Sequence, residues 1–372
     1  MRTVSIVGAR PQFVKLAPVS RAIARHNASG APAIDDFIVH TGQHYDPQMS
    51  DVFFDELDIP RAGIDLGVGS GSHGQQTGRM LEGIERLLLE RTPDAVIVYG
   101  DTNSTLAGAL AASKLHFKVA HVEAGLRSFN RGMPEEINRI ATDHMSDVLL
   151  AATPTAMRNL AAENLAGRAV FTGDVMYDAV LHGRARARQR SQVLSRLGLA
   201  AFGFGVVTLH RAENTSLERL PGILQTLNEV AERHLPLVFP VHPRTAKLLQ
   251  AELSGWRPAA ALKLIEPLGY LDMLCLTDAA RLVLTDSGGL QKEAFFLGCP
   301  CVTLRTETEW VETVEAGGNV VSGVEAEAVL EAVRRWNSRP PRPLTTAGGT
   351  GGPFGDGHAA DAVVAAISRL SS

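Results

Sequence analysis

Three carboxylates in the first half of the chain are spaced for proton transfer: Asp101 in YGDTNST (99–105), Glu123 in HVEAGLR (121–127) and Glu135 in MPEEINR (133–139). Arg127, Arg131 and Arg139 are interleaved with them. Carboxylates gathered in one place exchange protons with a substrate, and guanidinium groups beside them bind its polar parts. A second set suits phosphate. Arg10 and Lys15 fall in GARPQFVK (8–15), His210 in LHRAEN (209–214) and His242 in VHPRT (241–245). Ser287, Gly288, Gly289 and Glu293 fall in TDSGGLQKEA (285–294). Arginine offers forked contacts to phosphate and lysine a point charge. Ser-Gly-Gly at a helix start lets backbone amides approach a diphosphate, with Glu293 placed to reach ribose hydroxyls.

Each of these residues also has a plainer reading. Ser287 is a good N-cap with glycines for the turn, Asp101 offsets a helix dipole, Lys15 is a surface charge, and lone histidines are usually structural. No HxxxH or carboxylate-rich metal spacing is present, so no metal is expected. GSGSHG (69–74) matches the dinucleotide fingerprint, but it follows only a short apolar run at 64–66, and there is no P-loop. No nucleotide cofactor is therefore expected.

Such residues need elements to position them. Short β-branched runs at 4–7, 37–40, 95–99, 118–122, 148–151 and 169–172 predict one series of strands. Runs at 206–209, 237–241, 262–265, 282–284 and 301–304 predict a second. Amphipathic segments at 75–91, 104–114, 135–145 and 217–233 alternate with them, the pattern of parallel sheets covered by helices. GARPQ, TGQHYD (41–46), YGDTNST, HVEAGLR, LHRAEN, VHPRT and TDSGG all follow strands, where doubly wound sheets bind ligands. The expected architecture is α/β, with two doubly wound, Rossmann-like halves facing each other across a cleft. Residues 1–174 are expected to form the first half and residues 175–355 the second, with a final helix at 356–372.

Length and composition agree with that plan. The 372 residues suit two domains, with 45% apolar and 20% charged content near globular averages. A formal charge of −4 argues against nucleic acid or an anionic membrane as partner. Three cysteines form no disulfide framework, which fits a reducing cytoplasm. The N-terminus reads as a first strand, with no signal peptide or membrane span.

Taken in order, GARPQFVK, TGQHYD, YGDTNST, HVEAGLRS, MPEEINR, LHRAEN, VHPRT, EPLGY and TDSGGLQKEA span nearly the whole chain. The set resembles the non-hydrolysing UDP-N-acetylglucosamine 2-epimerases. That resemblance implies a GT-B-like fold with the last helix crossing back to the first domain, a homodimer, and a UDP-sugar substrate with no cofactor. It implies reversible inversion at C2 through loss and re-addition of UDP. Asp101, Glu123 and Glu135 match the family's catalytic acids and His210 its active-site histidine. Arg10, Ser287, Gly288, Gly289 and Glu293 match residues that hold UDP. Where UDP-GlcNAc enzymes typically read GTRPE and TERPE, this chain reads GARPQ and TEWVE, so Trp310 stands in place of a UDP-binding arginine and is expected to set substrate choice. Leu268 and Met273 replace other nucleotide contacts. GALAASK and GRML are similar to the branch acting on UDP-2,3-diacetamido-2,3-dideoxy-glucuronate, whose carboxylate would occupy Arg127 or Arg131. Tyr45-Asp46 after GQH differs from substrate-activated members. A GT-B glycosyltransferase is the alternative from another enzyme class, but it has little use for clustered carboxylates.

Overall fold

The computed structural model describes residues 1–43, 54–339 and 352–371. Tyr45 and Asp46 lie outside the described residues. The chain divides into two compact units, Met1–Leu181 with Gly348–Ser372, and His182–Ala347.

The first unit is built on a seven-stranded parallel sheet in the order β3-β2-β1-β4-β5-β6-β7. Its strands are β1 (Arg2–Val7), β2 (Asp35–His40), β3 (Ile64–Asp65), β4 (Ala95–Tyr99), β5 (Lys118–Ala124), β6 (Val148–Ala151) and β7 (Ala169–Phe171). All five residues of AVIVY in β4 are buried, because helices cover both faces of a parallel sheet and leave no solvent side. On one side, Val4, Ile6, Val96 and Val98 pack with Met80, Ile84 and Leu88 of the helix His73–Arg91 and with Ala107 and Ala111 of the helix Asn103–Lys114. Strand order reverses between β1 and β4, so their carboxyl ends open a crevice at that switch point. The GSGSHG stretch serves the helix that follows it: Ser72 is the N-cap and accepts the amide of Gln75.

The second unit carries a six-stranded parallel sheet in the order β10-β9-β8-β11-β12-β13. Its strands are β8 (Gly205–Thr208), β9 (Leu237–Pro240), β10 (Leu262–Ile265), β11 (Leu282–Thr285), β12 (Cys301–Thr303) and β13 (Asn319–Val321). Its switch point lies between β8 and β11. The helices Leu220–Arg233 and Ala326–Asn337 cover one face through Leu224, Leu227, Val333 and Trp336.

β3 and β13 were not among the predicted strands. They are two and three residues long and sit at sheet edges, too short for any alternation to show. The final helix, Ala359–Ile367, belongs to the first unit, as the resemblance implied. The Asp178 carboxylate accepts the amides of Ala359 and Ala360 at 3.2 and 2.8 Å, and Arg25 pairs with Asp361 at 2.7 Å.

Candidate active site

In the first unit, Glu123 sits where β5 slips in register against β6, between Val122 and Ala124. Its φ of 73° lies in the left-handed region that side chains other than glycine avoid. Such a conformation costs about 1–2 kcal/mol and persists only where the surroundings enforce it. The bulge re-aims the carboxylate, and Lys15 meets it: Lys15 Nζ lies 2.5 Å from Glu123 Oε1, both side chains being buried. Lys15 is therefore a buried partner of an acid, not a surface charge. Gly100 turns the end of β4 at φ 63° beneath this pair. A Cβ there would lie 2.8 Å from Lys15 Nζ, so a larger residue would have to push the ammonium aside.

Asp101 follows Gly100. Its Oδ2 accepts Arg139 Nη2 at 2.6 Å, and its carbonyl accepts Asn138 Nδ2 at 3.0 Å. Glu135 and Arg139 are an i,i+4 pair by sequence, but the structure corrects that pairing. Arg139 is buried and turns its Nη1 to Glu136, three residues away, at 2.9 Å. Glu136 is buried as well, and also accepts the amides of Ser128 and Phe129 and the Ser128 hydroxyl, fixing the loop before its helix. That leaves Glu135 half-buried in the first turn of the helix Pro134–Met145, with no hydrogen bond or ion pair among the described residues.

Arg127 and Arg131 separate in the same way. Arg127 is buried and donates through Nε and Nη2 to Glu163 at 2.7 and 2.6 Å, and through Nη1 to Asp143 at 2.7 Å. Burial works against its charge, but the Glu163 and Asp143 carboxylates outweigh burial and hold its proton more tightly than usual. Asp143 is likewise desolvated, yet His121 and Arg127 keep its carboxyl below the ordinary range. Arg127 is thus bound into the framework instead of being presented to a ligand. Arg131 is exposed and forms no ion pair among the described residues. Arg10 opens the helix Arg10–Ala28 and is half-buried. Behind it, Gln12 accepts the Gly8 and Ala9 amides and donates to the Tyr99 carbonyl, joining the carboxyl ends of β1 and β4.

In the second unit, His210 follows β8, with Nδ1 3.1 Å from Asp286 Oδ1. Asp286 lies completely buried after β11 and also accepts the amides of His210 and Arg211 and Asn214 Nδ2. Burial would raise its carboxyl, but the His210 ring and these amides overcome that and hold it low. A carboxylate at Nδ1 keeps the proton there and leaves Nε2 as the nitrogen that meets a ligand. The exposed His242 ring lies beside it, 6.1 Å between centroids. Ser287 caps the helix Gly288–Phe296 by accepting the Leu290 amide, so its capping reading and a ligand role are both open to it. A Cβ on Gly288 would lie 2.7 Å from Glu309 Oε1 and 3.3 Å from Trp310 Nε1, so the helix start is tightly lined. Gly289 and Glu293 continue that helix, with Glu293 half-buried. Trp310 is buried, and the equally buried Lys292 sets its ammonium 3.8 Å above the indole centroid.

Glu136, Asp143, His121 and Asp286 were not singled out from sequence. His121 stands two residues before Glu123 and Asp286 directly before Ser287, inside motifs already in view, but only contacts reveal which side chains hold the others. No group of three or more metal-capable side chains occurs among the described residues.

The two parallel-sheet units, with acids at one set of strand ends and a histidine and a glycine-rich helix start at the other, define a GT-B-like α/β protein. The family model for UDP-N-acetylglucosamine 2-epimerase matches residues 26–368. A UDP-N-acetylglucosamine 2-epimerase homolog of Methanococcus maripaludis is 51% identical over 91% of this chain and 93% of its own. The UDP-2,3-diacetamido-2,3-dideoxy-D-glucuronate 2-epimerase of Pseudomonas aeruginosa is 50% identical over 90% and 92%. The crystal structure of the Methanocaldococcus jannaschii UDP-GlcNAc 2-epimerase in complex with UDP-GlcNAc and UDP superposes with a TM-score of 0.90 at 41% identity, covering 99% of this chain and all of that one. This chain belongs to the UDP-N-acetylglucosamine 2-epimerase family and is an enzyme of the epimerase class.

Proposed function

We propose that this enzyme inverts C2 of a UDP-linked 2-acetamido sugar without hydrolysing it, by eliminating UDP to a 2-acetamidoglucal and adding it back. The observation that carries the reading is the uneven holding of three acids: Glu123 on Lys15, Asp101 on Arg139, and Glu135 on no partner among the described residues. Two carboxylates are oriented by cations, and the third is free to turn and exchange protons. No carbonyl flanks the C2 hydrogen, so its removal has to be coupled to departure of the diphosphate. In this reading Ser287, Gly288 and Gly289 hold that diphosphate at the helix start, with Arg10 and His242 as further donors. Glu293 takes the ribose, and His210, oriented by Asp286, stabilises the leaving group. Arg127 and Arg139 position acids and do not read the sugar.

We take UDP-2,3-diacetamido-2,3-dideoxy-glucuronate as the substrate, because the Pseudomonas aeruginosa relative is named for it and the exposed Arg131, which forms no ion pair among the described residues, suits its carboxylate. UDP-GlcNAc is the second reading, supported by the ligand of the Methanocaldococcus jannaschii complex. The proposal extends to a homodimer working in the cytoplasm, where free thiols such as Cys275, Cys299 and Cys301 stay reduced, on sugars for surface polysaccharide or related glycans.

The test is incubation with each UDP-sugar in D2O. Deuterium at C2 and the manno-configured product are expected, and absence of both with both sugars rejects the proposal. Glu135→Gln should lose at least about 100-fold in exchange while still binding UDP. Exchange at the parent rate would remove Glu135 from the chemistry.

A further inference from the structure

His121 lies in β5 two residues before Glu123, and its side chain is fully buried. Its Nδ1 is 2.7 Å from Asp143 Oδ1, and its Nε2 is 2.7 Å from the carbonyl oxygen of Gly100. Both neighbours accept hydrogen bonds. A carbonyl has no proton to give, and the other Asp143 oxygen already accepts Arg127 Nη1 and the Gly125 amide. A ring nitrogen without a proton would set its lone pair against one of these oxygens, so each nitrogen has to carry one. The ring therefore continues a row of alternating charge, from the part-exposed Glu163 through the buried Arg127, Asp143 and His121, which ends on the Gly100 carbonyl. The Lys15–Glu123 pair lies against Gly100, and Asp101 follows Gly100 directly.

We propose that His121 is a doubly protonated positioning residue: its imidazolium grips the Gly100 carbonyl and so aims the Asp101 carboxylate for proton transfer. Gly100 turns at φ 63° and has no side chain to restrict its backbone, so contacts from outside fix its peptide plane. Asp101 is then held at three points: its carboxylate by Arg139, its own carbonyl by Asn138, and the preceding carbonyl by His121. Releasing the third lets the turn rotate and moves the acid while leaving the nucleotide-binding residues, all in other elements, in place. A displacement of that order costs about 100-fold in turnover. The catalytic half of this inference rests on the function proposed above.

The protonation state is read by isotope-edited NMR of the histidine ring nitrogens, with His121→Gln assigning the signals. Two protonated nitrogens are expected for His121 in the parent, and a ring with one bare nitrogen overturns the proposal. Kinetically, His121→Gln should lose about 100-fold in kcat for C2 exchange, with KM and UDP affinity within about threefold. A folded His121→Gln enzyme turning over at the parent rate, or one losing KM and UDP binding in equal measure, also overturns it. Should that variant not fold, Asp143→Asn replaces it: loss of the second ring proton together with loss of kcat is expected, and no change in either counts against the proposal. If the parent exchanges neither sugar, the functional reading fails while the NMR result still decides the state of His121.

Discussion

Glu135, Glu136 and Arg139 show how far residue types decide roles. MPEEINR offers two adjacent glutamates and one arginine, and by spacing the arginine should pair with the first. It pairs with the second, because Glu136 faces inward with Arg139 while Glu135 lies on the outer side of the first turn. Arg131 lends itself to a direct test. Arg131→Gln should raise KM for the diacetamido uronate about tenfold or more and leave UDP-GlcNAc kinetics nearly unchanged, since one charge-assisted contact is worth about 1.5–3 kcal/mol. Equal effects on both sugars would detach Arg131 from the carboxylate. Trp310 was expected to bear on substrate choice, with Trp310→Arg favouring UDP-GlcNAc. With Lys292 stacked on its face, Trp310→Arg instead sets two buried cations together and should destabilise the second unit by about 3 kcal/mol or more, with Lys292→Gln recovering much of it. Chemical denaturation measures this; a Trp310→Arg protein of parent stability with altered sugar preference would restore the single-residue account.

Among the elements, most strands were legible because parallel strands buried on both faces read as unbroken apolar runs, as AVIVY does. The bulge at Glu123 was not legible, since a register slip depends on the neighbouring strand. The final helix depends on a titrating cap. Burial, partly offset by the Ala360 and Ala359 amides, raises the Asp178 carboxyl from an ordinary 3.8 to about 6, with Asp174 and Asp361 adding to the rise. The folded state then holds this proton more tightly than the unfolded chain does. The Asp178 contribution to stability therefore declines as pH rises from about 4 to about 6, by roughly 2–3 kcal/mol, and levels off above that. Asp178→Asn keeps an acceptor for the helix amides and should flatten that part of the stability–pH curve, gaining on the parent at neutral pH. Parallel curves for the two proteins from pH 4 to pH 7 would show that Asp178 does not titrate in this window.

At the scale of the whole molecule, residues 352–371 matter more than their distance in sequence suggests. They bury Phe354, Val363, Val364 and Ile367 within the first unit. Four such side chains are worth about 6 kcal/mol or more, a large share of the stability of an ordinary domain. Deleting residues 352–372 should therefore lower the melting temperature of the first unit sharply or leave it unfolded. A truncated protein that melts like the parent would show that the segment contributes little.

By itself the sequence determined the alternation of strand and helix, the parallel sheets, the family, and the motifs at the strand ends, because these depend on local periodicity and on short ordered patterns. Tertiary structure decided what each charged group does. Lys15 became the partner of Glu123, Arg127 and Arg139 became supports, Trp310 became the floor under a lysine, and His121 emerged as the anchor of Asp101. Whether a charge serves the framework or the ligand depends on burial and on partners that, for most of these groups, lie 16 to 108 residues away, and neither is written in the residue's own neighbourhood.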